Sequence, residues 1–132
     1  MYRILVALDD TVEHAAAQAE AIAEMPYNLE DIEVTLLHVF TNNTSGASVG
    51  QLETARKTEQ LLADAGIDTR LDETSGDPST EILEYANEND IDLICVGGRK
   101  RSPTGKALFG SVTQDVILTA ELPVIVCGKK EQ

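Results

Sequence analysis

The stretch Ile4-Leu5-Val6-Ala7-Leu8 is a short, uninterrupted apolar run close to the beginning of the sequence. Such a run predicts a strand that is buried on both faces, because a strand with one wet face would alternate apolar and polar residues. Apolar residues then recur at helical spacing from Val12 to Ala23, and Pro26 ends that pattern. A second strand is predicted over residues 32–40. A strand, a helix and a strand in this order form the βαβ unit of a parallel sheet.

The same alternation continues along the rest of the chain. Strands are predicted near residues 3–8, 32–40, 67–73, 91–96 and 123–128. Local signals predict where the helices begin and end. One helix starts near Ser48 and ends at Gly66, and another starts at Asp77-Pro78. The capping boxes Asp10/Glu13 and Ser111/Gln114 predict the starts of the first and last helices. We therefore predict one α/β domain over residues 1–132. Right-handed crossovers give a three-layer, Rossmann-like sandwich with a five-stranded parallel sheet in the order 3-2-1-4-5.

The composition of the chain excludes several classes of protein. Of its 132 residues 42% are hydrophobic and 4% are aromatic, so it can bury a core but has few rings for stacking on single-stranded nucleic acid. No apolar run approaches the ~18 residues of a membrane span, and no signal peptide is visible. Cys95 and Cys127 each lie in an apolar run, which indicates small buried side chains rather than a disulfide framework. A cytoplasmic protein without a membrane partner is therefore expected.

The charge of the chain is strongly negative and unevenly distributed. The net charge of −13 disfavours binding to nucleic acid or to anionic membranes. It is typical of a haloarchaeal protein in a salt-rich cytoplasm, or simply of a soluble acidic protein. Residues 93–114, however, contain no acid and carry Arg99, Lys100, Arg101 and Lys106. This segment has a charge of +4, which leaves −17 on the other 110 residues, and the reversal favours an anion site there.

The candidate anion site extends from Gly97, through a predicted loop over residues 97–109, to the beginning of a helix. The amides of Gly110, Ser111 and Val112 would lie at the positive end of the helix dipole, which suits a phosphate. A glycine after a strand and a serine at a helix start are also what an ordinary βα loop uses, and the basic cluster could be a solvated tip. Their combination in an acidic chain favours a phosphate site. The chain has neither a Walker A motif nor a G-x-G-x-x-G motif, so a P-loop nucleotidase or a dinucleotide dehydrogenase is not expected.

Several motifs occur together in the order in which one known family carries them. They are Ile4–Asp9, Leu36–Val39, Gly76-Asp77-Pro78, Asp92–Gly97, Gly110-Ser111-Val112 and Pro123-Val124. In these motifs the chain resembles the universal stress protein family, over essentially its whole length. The fold that this resemblance implies is the adenine nucleotide alpha hydrolase-like one.

The resemblance implies ATP or a related adenine nucleotide as the ligand. The ATP-binding branch carries the pattern G-x2-G-x9-G-[S/T], which Gly97, Gly110 and Ser111 match, whereas Lys100 stands at the second glycine. The implied contacts are adenine with Asp9 and the Val39 backbone, ribose with Gly97, and phosphate with Gly110, Ser111 and Val112. Arg99 or Lys100 would neutralise phosphate charge, and the pair Asp9-Asp10 would hold Mg²⁺ if a metal takes part.

Three functions stay open at the level of the sequence. The first is a homodimeric stress-response module that binds an adenine nucleotide; the resemblance implies pairing of two subunits through the last strand, Val124–Cys127. The second is a slow ATPase or phosphotransferase at the same site. The sequence places no general base near the phosphate loop, and His14 and His38 indicate no metal pair, so the first function is favoured. The third is an interaction protein that has lost the nucleotide, which the residue Lys100 supports.

Overall fold

Strands and helices alternate along the chain in a computed structural model, which describes residues 1–9, 12–26, 28–41, 52–101 and 107–128. For residues 12, 29, 99–101 and 107–108 the description covers the backbone only. The strands are β1 (Tyr2–Leu8), β2 (Ile32–Phe40), β3 (Thr69–Ser75), β4 (Leu93–Arg101), β5 (Ala107–Leu108) and β6 (Val124–Gly128). The helices are α1 (Val12–Ala23), α2 (Glu53–Asp64), α3 (Pro78–Glu88) and α4 (Ser111–Thr119), with a 3₁₀ turn at Leu29–Asp31.

Five of the strands form a parallel sheet in the order β3-β2-β1-β4-β6. This is the predicted order 3-2-1-4-5, with β6 as the fifth strand of the sheet, and the prediction is confirmed. β3 lies at one edge, and all of its residues are half-buried or exposed. β6 lies at the other edge.

The segment after Gly97 differs from the loop that the sequence predicted. β4 continues to Arg101 and pairs antiparallel with the two-residue strand β5, so that Lys100 lies opposite Leu108. This short ladder lies outside the parallel sheet. The pairing of β4 with β6 is irregular between Val96 and Arg99, and Gly98 has a φ of +87°, so β4 leaves the regular ladder at this point.

Both faces of the sheet are covered by helices, which explains the uninterrupted apolar run of β1. Ile4, Val6 and Leu8 are buried in the layer under α1 and α2, whereas Leu5 and Ala7 are buried under α3 and α4. No helix in the described ranges is both long enough and apolar enough to span a bilayer.

The two cysteines are buried and reduced, as predicted. Their Sγ atoms are 3.4 Å apart on the neighbouring strands β4 and β6. The contact with Cys127, together with burial, raises the pKa of the Cys95 thiol well above its ordinary value.

The observed ends of the helices show which local sequence signals were sufficient to predict them. α2 is followed by Gly66 at a φ of +85°, and α3 begins at Pro78 with Asp77 as its N-cap, both as predicted. The capping box at Ser111 is wrong: the N-cap of α4 is Gly110, and no side chain caps this end. Ser48 and Asp10, and with Asp10 the first capping box, lie outside the described residues.

Candidate functional site

A cleft lies above the carboxyl ends of the central strands, where β1 and β4 separate. The chain builds the sheet outward from β1 on one side and from β4 on the other, so this is the switch point at which open α/β sheets bind ligands. The cleft has a volume of about 670 Å³. Its walls come from the ends of β1, β2 and β4 and from the first turns of α1, α3 and α4.

One buried side chain, Gln18 of α1, holds the two strands where they separate. The pairing of β1 with β4 ends at Val6 and Cys95. The amide Nε2 of Gln18 donates to the carbonyls of Ala7 (2.9 Å) and Cys95 (3.2 Å), and the residue is completely buried. Gln18 therefore ties both strands to α1 directly beneath the cleft.

The first turn of α4 forms one end of the cleft and presents unused hydrogen-bond donors. The first bond within the helix runs from the Gln114 amide to the Gly110 carbonyl (2.9 Å), so the amides of Ser111, Val112 and Thr113 have no acceptor inside the helix. The Ser111 hydroxyl also has no hydrogen bond within the described part of the chain. Amide donors at the positive end of a helix dipole favour a negatively charged ligand.

Open space lies beside these donors at Gly110. A Cβ added to Gly110 would meet no atom within 4 Å among the described residues. Its φ of −65° is one that any residue adopts. Among the described residues neither packing nor backbone conformation therefore requires a glycine here, and none of them fills the space beside its backbone.

Two consecutive glycines join this end of the cleft to the rest of the fold. The Thr113 hydroxyl donates to the Gly97 carbonyl at 2.7 Å, which fixes the first turn of α4 to β4. A Cβ on Gly97 would lie 3.0 Å from the Cβ of His14, so the close packing of α1 requires this glycine. Gly98 has a left-handed φ of +87°, a conformation that favours glycine.

The opposite end of the cleft is lined by β2 and is mainly apolar. Val39 is half-buried there, and Phe40 packs edge to face on His38 with the ring centroids 4.5 Å apart. Leu52 and Ile82 contribute aliphatic walls from the two sides. An apolar slot beside the polar backbone of a strand end suits a nucleobase.

A hydrogen-bonded acid and imidazole also line the cleft. The Nδ1 of His14 donates to the Oδ2 of Asp9 at 2.6 Å, and the side chains are 16% and 45% exposed. Asp9 was a candidate from the sequence, whereas His14 was not connected with the site. One feature of the sequence could have indicated the pair: Asp9 and His14 are only five residues apart across a strand-to-helix turn, which is short enough to bring their side chains together.

Six of the eight candidate residues lie in the wall of this one cleft. They are Asp9, Val39, Gly97, Gly110, Ser111 and Val112. Arg99 and Lys100 lie farther along β4; their side chains, and all of Lys106, are outside the description. Their part in charge neutralisation stays a prediction.

The described residues of the cleft hold few groups that could bind a metal ion. Asp9 is the one carboxylate in the described wall, and no cluster of three or more His, Cys, Asp or Glu side chains occurs in the described ranges. Asp10, its predicted partner for Mg²⁺, lies outside them. A magnesium ion held by the described residues alone would need most of its oxygen ligands from phosphate and water.

Comparison with known proteins gives one consistent family. The model of the universal stress protein family matches residues 1–128. The stress response protein NhaX from Bacillus subtilis is 31% identical over 77 residues, which cover 53% of this chain and 46% of that protein. The chain spans about half the length of several curated relatives that it matches. A universal stress protein structure from Archaeoglobus fulgidus is 30% identical with a TM-score of 0.77, covering 96% of this chain and 98% of that one.

Solved structures with the same fold include complexes with adenine nucleotides. A universal stress protein from Archaeoglobus fulgidus in complex with dAMP is 24% identical, with a TM-score of 0.70 over 96% of this chain and 98% of that one. Others are in complex with cAMP and, in a protein from Arabidopsis thaliana, with AMP bound, at 18% and 16% identity and a TM-score of 0.73 each. At these identities the likeness shows the fold alone. The family match, which extends over nearly the entire sequence, shows that the chain belongs to the universal stress protein family.

Proposed function

We propose that this protein is a stress-response module that binds an adenine nucleotide in the cleft. The observation that carries the proposal is the set of unused amides at residues 111–113 beside the open space at Gly110. Within its described part the chain makes no use of either feature, and both suit a phosphate. The dAMP, cAMP and AMP complexes of proteins with this fold support an adenine nucleotide as the ligand.

The nucleotide lies across the cleft with its phosphates at α4 and its base at β2. Gly110, Ser111 and Val112 hold the phosphates, and Asp9 and the Val39 backbone lie beside adenine. Gly97 lies by the ribose, as the family resemblance implies. Charge-assisted hydrogen bonds of this kind contribute about 1.5–3 kcal/mol each, so the loss of one weakens binding roughly tenfold or more.

The positive charge of residues 93–114 favours the binding of an anion at the site. The other 110 residues carry −17 and repel phosphate, so the +4 of residues 93–114 has to act locally. Arg99 or Lys100 supplies that charge. Mg²⁺, where present, would be shared between the pair Asp9-Asp10 and the phosphates.

Two chains associate through β6 in this proposal. β6 is the edge strand of the sheet, and Val124, Ile125 and Val126 are only half-buried there. An apolar edge strand favours pairing with a second strand, which an isolated chain lacks. The net charge of −13 fits association in a salt-rich cytoplasm, as in a haloarchaeal source, because salt screens the repulsion between subunits.

An interaction protein that binds no nucleotide is the second candidate. Lys100 stands where the ATP-binding pattern has a glycine, and its backbone is extended and paired with Leu108. In this alternative the short ladder of β4 with β5 closes the phosphate end of the cleft, and the dimer alone carries the function.

Two measurements separate the candidates. Mass spectrometry of small molecules released from the purified protein is expected to detect an adenine nucleotide. Calorimetric titration is expected to show ATP binding with a Kd below about 1 mM and weaker binding of GTP. No released nucleotide, together with no heat up to millimolar ATP, would remove the nucleotide proposal and leave the interaction protein.

A further inference from the structure

The Asp9–His14 pair gives the cleft a chemical capacity that nucleotide binding alone does not need. A carboxylate oxygen can only accept a hydrogen bond, so the proton of the neutral imidazole is on Nδ1, where it bonds to Asp9 Oδ2 at 2.6 Å. The other nitrogen, Nε2, then carries a lone pair. It has no hydrogen bond to any described residue, and the side chain keeps 16% of its surface exposed in the cleft.

The imidazole lies close to the phosphate end of the cleft. Its Cε1 and the Thr113 hydroxyl oxygen are each 3.7 Å from the position that a Cβ on Gly98 would take. The two atoms are therefore no more than twice that distance apart. Because Thr113 belongs to the first turn of α4, the imidazole lies near the end of the cleft to which we assign the phosphates.

The position of His14 is fixed by the fold. Its Cβ packs on Gly97, and the same glycine accepts the hydrogen bond from Thr113. One short segment of β4 therefore holds both the imidazole and the phosphate-binding turn. Positioning of this kind is what general-base catalysis requires.

The other imidazole of the cleft is not suited to the same role. His38 is 8% exposed as a residue and its ring packs against Phe40, at the end of the cleft that we assign to the base. Among the described residues His14 is thus the group that combines a fixed tautomer, an accessible nitrogen and a place beside α4.

We propose that His14 is a general base that activates water for hydrolysis of the bound nucleotide, which makes the site a slow nucleoside triphosphatase. The proposal rests on nucleotide binding in this cleft. The water oxygen forms a bond to the terminal phosphorus, and its proton passes to His14 Nε2. The bond from that phosphorus to the bridging oxygen breaks, and its electron pair leaves with ADP. Asp9 is a positioning residue that holds the ring and stabilises the imidazolium, which then returns its proton to solvent.

The test compares ATP binding with ATP turnover in the full chain. The substitution His14→Gln keeps an amide that can reach Asp9 but removes the base. We expect ADP formation to fall about 100-fold or more, because general-base catalysis contributes about that much, and the Kd for ATP to change less than about threefold. The control is Glu13→Gln, an exposed neighbour on the same helical turn, which should leave both values unchanged.

A second variant gives a readout that a purely structural role would not produce. In His14→Ala, free imidazole added to the assay should restore part of the ADP formation, since it can take the place of the missing side chain. Melting temperatures of both variants report whether they fold. ATP binding by the wild type without ADP formation, or ADP formation that His14→Gln leaves unchanged, would overturn the hydrolysis proposal. Absence of ATP binding to the wild type would instead refute the proposed function.

Discussion

Gly97 and Gly110 belong to one sequence motif, but the structure gives them different reasons to be glycine. At Gly97 an added Cβ would lie 3.0 Å from the Cβ of His14, whereas at Gly110 it would meet no described atom within 4 Å. The first glycine serves packing, whereas the second has no packing contact among the described residues, which fits the ligand proposed there. A motif match alone does not distinguish these two roles, because the sequence shows only a glycine at each position.

Alanine substitution at the two glycines should therefore give opposite results. Gly97→Ala overpacks the contact with α1, which costs about 1–3 kcal/mol, and should lower the Tm by several degrees. Gly110→Ala should leave the Tm unchanged and weaken ATP binding at least tenfold. Thermal denaturation and calorimetry of the two variants check this. Equal loss of stability in both would show that Gly110 is structural as well.

Lys100 is the residue at which this chain departs from the family pattern. Its backbone is extended and pairs with Leu108, so a glycine is not needed there for a left-handed conformation. If the lysine supplies charge to the phosphates, Lys100→Gly weakens ATP binding, and that is the result we expect in a calorimetric titration. Tighter binding by the variant would indicate instead that the lysine obstructs the site.

At the scale of elements, local signals predicted the helix ends that depend on local bonds. Asp77 caps α3 by accepting bonds from the Thr80 hydroxyl (2.8 Å), the Ser79 hydroxyl (3.1 Å) and the Thr80 amide (3.2 Å). These bonds, those from Thr80 first, lower the pKa of Asp77 below its ordinary value of 3.8. The charged form is therefore favoured by folding, and this stabilisation is present at neutral pH.

The contribution of this cap should disappear in acid. A group whose pKa is lower in the folded than in the unfolded state loses its contribution as the pH falls through the folded value. The Tm of Asp77→Ala should lie below that of the wild type at pH 7, and the difference should narrow as the pH falls below 3.8. Melting curves across that range provide the check. A difference that stays constant would mean that the charge of the cap has no effect.

Elements that depend on distant partners were less predictable. The extension of β4 to Arg101 needs β5, which at two residues is too short to show a periodic pattern, so the sequence indicated a loop. The N-cap of α4 is Gly110, whereas the sequence indicated Ser111; Ser111 is the first residue of the helix, and no side chain caps it. The hydrogen bond of His14 to Asp9 forms only when β1 and α1 pack together, so the sequence pattern did not indicate it. In contrast, the run at residues 4–8 was sufficient to predict a strand buried on both faces.

At the scale of the whole molecule, the sheet leaves one apolar edge at β6 on an acidic protein. We expect a homodimer, so light scattering at micromolar concentration should give about twice the chain mass of 14.2 kDa. Because two subunits of charge −13 repel each other, the measurement is made at about 0.1 M and 1 M NaCl. A monomer at both salt concentrations, with the fold intact, would contradict association through β6.

The central claim is that the cleft binds an adenine nucleotide with its phosphates at the start of α4. Backbone amide NMR of the labelled protein, titrated with ATP, tests it most directly. The account predicts the largest shifts at the amides of Ser111, Val112 and Thr113, with smaller shifts near Val39. The same titration with adenosine should move the signals near Val39 and leave those of α4 in place. Shifts confined to other surfaces, or none up to millimolar ATP, would contradict the account.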